Sequence, residues 1–311
     1  FKHYFVGTLN QKKISNLGLN FRYFLSERLN YDNSIFYHTA LAASLTIYRE
    51  PIITLGFSRV YLSGGVDEIS WTKNDAAKIV FEPLFGENKT DLDYVGNYEN
   101  EPEYWDPWDQ LLTGFINFNF PQSNLDLYLE FGTDDSRSNF SDLKAHWNHA
   151  SGYIFGIKKR FFLNKKSIFL GLEFMSNSNT TNTLNPSFFR GSWNVPNFYN
   201  RDTYLFSSYQ GRRWAAHSGS DSDDKIVMLG IFDKNYFAIL SYNLERHGIN
   251  SMEYPELKHE VVLRLSREFK QFTFSVYLES EKTTNYNFIS RSDPEKSSVI
   301  GFNVYYSMFS D

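Results

Sequence analysis

The stretch KQFTFSVYLESE, residues 270–281, alternates apolar and polar side chains from Phe272 to Glu279. A period of two is typical of a β-strand, because successive side chains of an extended chain point to opposite faces. The stretch therefore predicts a strand that separates an apolar environment from a polar one. Its apolar face consists of Phe272, Phe274, Val276 and Leu278, and its polar face of Thr273, Ser275, Tyr277 and Glu279.

The same alternation recurs along the chain, for example in NLDLYLEFGTDD (124–135) and SIFLGLEFMSN (167–177). Helical periodicity is scarce, and the lack of any run of eighteen apolar residues excludes a membrane-spanning helix. We predict thirteen strands, at 2–9, 14–24, 40–48, 52–63, 110–120, 124–134, 150–161, 167–176, 224–233, 236–247, 258–268, 271–283 and 296–309.

The predicted connections alternate between short and long. The short ones are the polar links NQKK, YREP, FPQSN, LNKK, DKNY and EFKQ, and the long ones are 25–39, 64–109, 135–149, 177–223, 248–257 and 284–296. Strands of about ten residues joined in this way are typical of outer-membrane β-barrels, whose short turns face the periplasm and whose long loops face outward. A soluble β-sandwich is the alternative, although its strands are usually shorter.

We therefore predict an all-β fold, a transmembrane antiparallel outer-membrane β-barrel of about 14–18 strands. Residues 1–311 are predicted to form a single domain, with the longest extracellular loops at 64–109 and 177–223. Bacterial barrels normally have an even number of strands. With thirteen counted, we expect at least one further strand before Phe1, and either no complete crossing or two within 177–223.

Composition narrows the function. The chain of 311 residues has no cysteine, so neither a disulfide framework nor thiolate chemistry is expected. Its net charge of −5 argues against a nucleic-acid partner. Aromatic residues make up 18% of the chain, and aromatic residues are enriched at the membrane–water interfaces of such barrels.

The segment YQGRRWAAHSGSDSDD (209–224) is the densest in charged and aromatic groups. Guanidinium groups bind carboxylates bidentately, and indole rings stack on the C–H faces of sugars, so the long loops suit an acidic polysaccharide. The alternatives are that the tryptophans form an interfacial girdle and that the arginines pair with Asp221, Asp223 and Asp224. The candidate ligand-binding residues are Trp71, Trp105, Trp193, Arg190, Arg201, Arg212, Arg213, His217, Asp221 and Asp223.

Metal and catalytic sites are less well supported. The oxygens of SDSDD (220–224) suit Ca²⁺, but the spacing, the glycine and the final glutamate of an EF-hand are missing. His217 and Ser218 are adjacent, so in an extended chain they point to opposite faces and cannot pair as base and nucleophile. No G-x-S-x-G motif occurs. We therefore expect no enzyme activity, no metal site and no cofactor.

The order of elements resembles the Wzi-like capsule assembly family of outer-membrane proteins. The similarity lies in SLTIYREPIITLGFSR (44–59), the loop from EISWTKNDAAKIVFEPLFG to DPWDQLLTGFINF (68–118), HWNHASGYIFGIKKRF (146–161) and YQGRRWAAHSGSDSDDKIVMLGIF (209–232). The most specific part is an aromatic–Gly–basic run followed by a small-residue turn and an acidic loop. In this chain that part comprises Tyr209, Gly211, Arg212, Arg213, His217, Gly219, Asp221, Ser222 and Asp223.

The resemblance implies a barrel of about eighteen strands. It also implies a surface lectin that binds capsular polysaccharide and tethers the capsule to the cell. The family's N-terminal periplasmic helical portion has no counterpart in this sequence. We thus expect a bacterial outer-membrane location, with extracellular acidic polysaccharide and outer-membrane lipid as partners. A channel or porin for small solutes, and a barrel subunit of a larger outer-membrane complex, remain the alternative functions.

Overall fold

The computed structural model describes residues 2–8, 10–29, 35–64, 109–134, 151–179, 208–209, 212–213 and 221–307. Among these residues, no helix is both long enough and apolar enough to cross a membrane. The strands are β1 (Lys2–Gly7), β2 (Lys12–Ile14), β3 (Leu17–Leu29), β4 (Ile35–Ile47), β5 (Ile52–Gly64), β6 (Asp109–Phe120), β7 (Leu125–Asp134), β8 (Ser151–Leu163), β9 (Lys166–Asn179), β10 (Ser208–Tyr209), β11 (Arg212–Arg213), β12 (Ser222–Asp233), β13 (Tyr236–His247), β14 (Glu256–Phe269), β15 (Phe272–Thr284) and β16 (Glu295–Tyr306).

Fourteen of these strands form one antiparallel sheet whose neighbours follow the order of the chain. Each of the thirteen predicted strands has a counterpart in this sheet, so the all-β antiparallel prediction is confirmed. β12 pairs directly with β9, so the connection between them inserts no strand into the described sheet. β10 and β11 form a separate two-stranded hairpin within that connection.

The first hairpin corrects the predicted turn. The NQKK link was expected to be the turn, but Lys12 and Lys13 lie in β2, which pairs with the start of β3. The turn falls instead at Ser15 and Asn16, where Ser15 has a left-handed φ of 55°. The side chain of Gln11 donates to Thr46 Oγ1 at 2.6 Å, which fixes the irregular segment before β2 against β4.

The predicted loop at 25–39 is also too long. β3 continues to Leu29 and β4 begins at Ile35, so only residues 30–34 connect the two strands. The polar residues of 25–39 favour a loop, but both strands continue past the end of the apolar alternation. The long connections nevertheless all join the strands at one end, which we call the loop end, and the short turns join them at the other, the turn end.

The two faces of the sheet have opposite character. On the outer face, large apolar side chains stand exposed, as shown by Ile300 at 80% and Phe302 at 64% exposure. On the inner face, hydroxyl groups pair across strands, as in Ser266 with Ser275 at 3.1 Å. Among the described residues, the only buried apolar side chains are Leu41, Met175 and Val262. A β-sandwich would bury one whole face of each sheet, so this pattern excludes the sandwich and fits a sheet that faces lipid.

A glycine fixes the packing on the inner face of β7, β8 and β9. Tyr128, Gly156 and Glu173 are neighbours across these strands. The ring of Tyr128 lies over Gly156, where a Cβ would overlap it, and its hydroxyl donates to Glu173. Gly156 therefore provides the space in which the tyrosine reaches the second strand away.

We predict that Gly156→Ala destabilises the fold by about 1–3 kcal/mol, because the added methyl group displaces the Tyr128 ring and breaks its hydrogen bond. Urea unfolding of the protein in detergent micelles would measure the loss. Gly132→Ala is the matched control, since a Cβ there makes only ordinary contacts, with Thr113 Cγ2 at 3.4 Å and with the Leu112 carbonyl oxygen at 4.0 Å. Equal losses in the two variants would contradict this role of Gly156.

Candidate functional site at the loop end of the inner face

Five glutamates gather on the inner face near the loop end of β13, β14 and β15. They share this face because alternate residues of each strand point inward and the registers align them. Glu245 lies opposite Lys258, Glu260 lies opposite Glu281, and His247 lies opposite Glu256. We call Glu245, Glu256, Glu260, Glu279 and Glu281 the carboxylate cluster.

Lys258 is the central cation of the carboxylate cluster. Its Nζ lies 3.5 Å from Glu245 Oε1, 3.1 Å from Glu260 Oε2 and 3.4 Å from Glu281 Oε2. Glu245 is only 1% exposed, and it also accepts a hydrogen bond from Asn243 Nδ2 at 2.7 Å. A carboxylate this buried requires such partners, because an unpaired buried charge is strongly destabilising.

A histidine extends the cluster toward the connecting loop. His247 Nε2 lies 3.0 Å from Glu245 Oε2, and its Nδ1 lies 3.9 Å from Glu256 Oε2. The inner wall of β13 to β15 is strongly acidic at this level, with one lysine and one histidine beside the five carboxylates of the cluster.

Three members of the cluster have a geometry that could hold a cation. One carboxylate oxygen from each of Glu260, Glu279 and Glu281 lies within 4.8 Å of the others, and oxygen ligands suit Ca²⁺ or Mg²⁺. However, Lys258 contacts Glu260 and Glu281, and the Tyr277 hydroxyl donates to Glu279. These contacts satisfy the three carboxylates with groups of the protein itself.

The cluster also limits where an acidic polymer can bind. Like charges repel, and the repulsion is stronger where solvent is partly excluded. Carboxylates can accept hydrogen bonds from sugar hydroxyls, but this wall would repel uronic acids. An anionic ligand is therefore disfavoured on the inner wall of β13–β15.

Asp221, one of the predicted ligand-binding residues, is an internal anchor. It is 5% exposed, and its carboxylate accepts the backbone N–H groups of Asn250 and Ser251 at 2.8–3.1 Å. The same carboxylate accepts from Ser251 Oγ at 2.6 Å and from Asn250 Nδ2 at 3.0 Å. The acid thereby holds the connection between β13 and β14 against the start of β12.

The neighbouring acids point elsewhere. Asp223 lies on the outer face and binds the guanidinium of Arg246, its register partner on β13. Asp224 is next in the strand and lies on the inner face opposite Glu245. Because Asp221, Asp223 and Asp224 diverge, they do not form the joint oxygen site that the SDSDD sequence suggested.

The other predicted residues are described only in part. Arg212 and Arg213 form β11, and their backbones pair with Tyr209 and Ser208. Their side chains lie outside the described part of the structure. The remaining candidates, which are also outside the described residues, are Trp71, Trp105, Trp193, Arg190, Arg201 and His217.

Sequence reasoning did not identify the carboxylate cluster, although a signal was present. In ELKHEVVLRL (256–265), charges recur at every second position as Glu256, Lys258 and Glu260. Glu279 and Glu281 continue the polar face of the neighbouring strand. Extending the face assignment of each strand toward the loop end would have placed all these charges inside.

Comparison with known proteins bears mainly on the fold. No family model matches the chain, and no curated protein matches it in sequence. Among solved structures, it is similar to Wzi of Escherichia coli, described as a carbohydrate-binding β-barrel of the outer membrane involved in group 1 capsule assembly. The TM-score is 0.52 at 12% identity, covering 94% of this chain and 67% of Wzi. The chain has the fold of an outer-membrane β-barrel.

More distant likenesses are to two further barrels. The ferric-catecholate import receptor Fiu of Escherichia coli gives a TM-score of 0.40 at 9% identity, covering 99% of this chain and 62% of Fiu. BamA of Haemophilus ducreyi, without its first three POTRA domains, gives 0.41 at 11% identity, covering 97% of this chain and 61% of that one. This chain therefore covers less than two thirds of Fiu and of BamA, and no conclusion about function is drawn from these two likenesses.

Proposed function

We propose that this protein resides in the bacterial outer membrane, binds surface or capsular polysaccharide at its loop end, and helps to anchor or assemble the capsule. The observation that carries the proposal is the likeness of the whole sheet to Wzi, a carbohydrate-binding barrel. The exposed apolar outer face supports the membrane location, because only lipid accommodates such a surface without loss.

The charge distribution supports a division of roles at the loop end. The carboxylate cluster repels an acidic glycan from the inner wall of β13–β15. Binding then falls to the arginine-rich segment 177–223, with Arg190, Arg201, Arg212 and Arg213, and to the loop tryptophans Trp71, Trp105 and Trp193. Guanidinium groups would bind uronic-acid carboxylates, and indole rings would stack on the sugar rings.

We predict that Arg213→Ala and Trp105→Ala each weaken binding of a uronic-acid-containing capsular polysaccharide about tenfold, through loss of one charge-assisted or stacking contact. Surface plasmon resonance with the purified barrel would measure this, with neutral dextran as the comparison glycan. Arg291→Ala is the matched control, because Arg291 lies in the 285–294 connection and pairs with Glu295 at 2.5 Å. Equal losses in all three variants would refute the assigned residues.

The channel alternative gives a different result in planar bilayers. The proposal expects the 64–109 and 177–223 loops to close the lumen, so the wild-type protein should show no steady conductance. A steady open pore together with no glycan binding would favour a channel for small solutes. Stoichiometric co-purification of another outer-membrane protein would favour the complex-subunit alternative.

A further inference from the structure

A row of basic residues crosses the outer face at the loop end. Registers place Lys225, Leu244, His259, Lys282 and Lys296 side by side on β12 to β16. Arg246 lies two residues beyond Leu244 on the same face. We call Lys225, Arg246, His259, Lys282 and Lys296 the basic row. At a strand spacing of about 4.8 Å, it is about 19 Å wide.

The charges on this face are almost all positive. At the loop end of β12 to β16, the only acidic strand residue on the outer face is Asp223, and Arg246 already binds it. Lys225, Lys282 and Lys296 are exposed, and none forms an ion pair with another described residue. The seven acids at the same level all point to the inner face: they are Asp224, Glu245, Glu256, Glu260, Glu279, Glu281 and Glu295.

This segregation has an energetic cost that a ligand would relieve. Lys282 and Lys296 lie directly opposite each other on paired strands. Like charges in this position destabilise a sheet unless a counter-charge lies between them. Lysines that serve only solubility do not need to be separated from acidic residues in this way. A surface selected only for solubility would carry charges of both signs.

The position of the row relative to the apolar surface indicates the kind of ligand. Exposed apolar side chains begin two to four residues toward the turn end, at Val227, Val261, Leu278 and Ile300. At about 3.3 Å per residue, the basic row lies about 7–13 Å above these side chains. When the apolar outer face contacts the acyl chains, this distance places the basic row at the depth of the lipid headgroups.

We propose that the basic row binds the phosphates of an anionic glycolipid of the outer leaflet, of the lipid A class, whose acyl chains lie along Val227, Val261, Leu278 and Ile300. Phosphates at the two ends of a disaccharide headgroup would each meet cations within the width of the row. The inference rests on the membrane placement in the proposed function, but not on polysaccharide binding.

The test is a titration of the detergent-purified barrel with bis-phosphorylated lipid A, followed by native mass spectrometry. The triple variant Lys225→Gln/Lys282→Gln/Lys296→Gln is expected to bind about 100-fold more weakly, at about fivefold per lysine near an anionic headgroup. The matched control is Lys165→Gln/Lys234→Gln/Lys270→Gln, which removes three lysines from the short turns at the other end. This control should bind as the wild type does.

Several outcomes would overturn the proposal. These are equal binding by the triple variant and the wild type, equal weakening by the turn-end control, and equal binding of dephosphorylated lipid A. If the triple variant does not fold, Lys282→Gln/Lys296→Gln is expected to lose about 30-fold. Measuring polysaccharide binding by the same variants separates the proposed polysaccharide binding from the proposed lipid A binding. A variant that loses lipid A binding but binds polysaccharide normally shows that the basic row acts on the lipid alone.

Discussion

Asp221→Ala is expected to destabilise the folded barrel by about 3 kcal/mol, since charge-assisted hydrogen bonds contribute about 1.5–3 kcal/mol each and are not additive. The substitution removes the acceptor for two backbone N–H groups and for the side chains of Asn250 and Ser251. These donors lie close to the buried carboxylate. Part of the lost stability therefore comes from leaving the donors without an acceptor.

Chemical unfolding in detergent micelles would measure the stability, and limited proteolysis would report on the connection at 248–255. Asp233→Ala is the control, because that acid is the last residue of β12, beside the turn, and its carboxylate accepts the N–H of the adjacent Lys234 at 2.6 Å. Asp221→Asn retains an acceptor oxygen and should lose less than the alanine variant. A loss below about 1 kcal/mol for Asp221→Ala would place it in the range of ordinary surface substitutions and contradict the anchoring role.

The anchoring role follows from the position of Asp221 among three strands. Its carbonyl oxygen accepts the N–H groups of Gly248 and Ile249 at 2.9 and 3.3 Å. Asn250, bound to its carboxylate, also donates to the carbonyl of Ser178 at the end of β9 at 2.6 Å. One acid thus joins the loop ends of β9, β12 and β13, where the long connection returns to the sheet.

Strands and faces were predictable because lipid on one side and a polar interior on the other impose an alternation of two on every crossing. Some contacts were also within reach of the sequence. The two-residue turn Lys234–Asn235 fixes the register of β12 and β13, and counting back from it places Asp223 opposite Arg246. The length of this turn is therefore sufficient to predict the pair.

Other contacts could not be read from the sequence. Glu245 meets Lys258 across β13 and β14, whose connection of eight residues leaves the register open. Gly248 begins this connection with a left-handed φ of 68°, and Asp221, which holds the connection from the start of β12, has a left-handed φ of 49°. The sequence does not reliably indicate which non-glycine residues adopt a left-handed φ. The partners of Asp221 could therefore be identified only from the structure.

Lys258→Met is expected to destabilise the barrel by about 3 kcal/mol at neutral pH, the lower end of what removing one partner of a buried ion pair costs. Methionine retains much of the length and apolar volume of the lysine side chain. The variant therefore tests the charge that faces Glu245, Glu260 and Glu281 rather than the packing. Urea unfolding in detergent micelles, compared with Lys234→Met in an exposed turn, would measure the difference.

Two further measurements distinguish repulsion among the carboxylates from a loss of side-chain packing at position 258. If repulsion is the cause, acidifying the buffer should narrow the gap between Lys258→Met and wild type, because protonated carboxyls no longer repel one another. Adding Glu245→Gln to Lys258→Met should likewise recover part of the stability, since the most buried negative charge is then gone. A gap that is independent of pH and unchanged by Glu245→Gln would instead mean that Lys258 acts through its packing, and that the acidic wall is stable without a central cation.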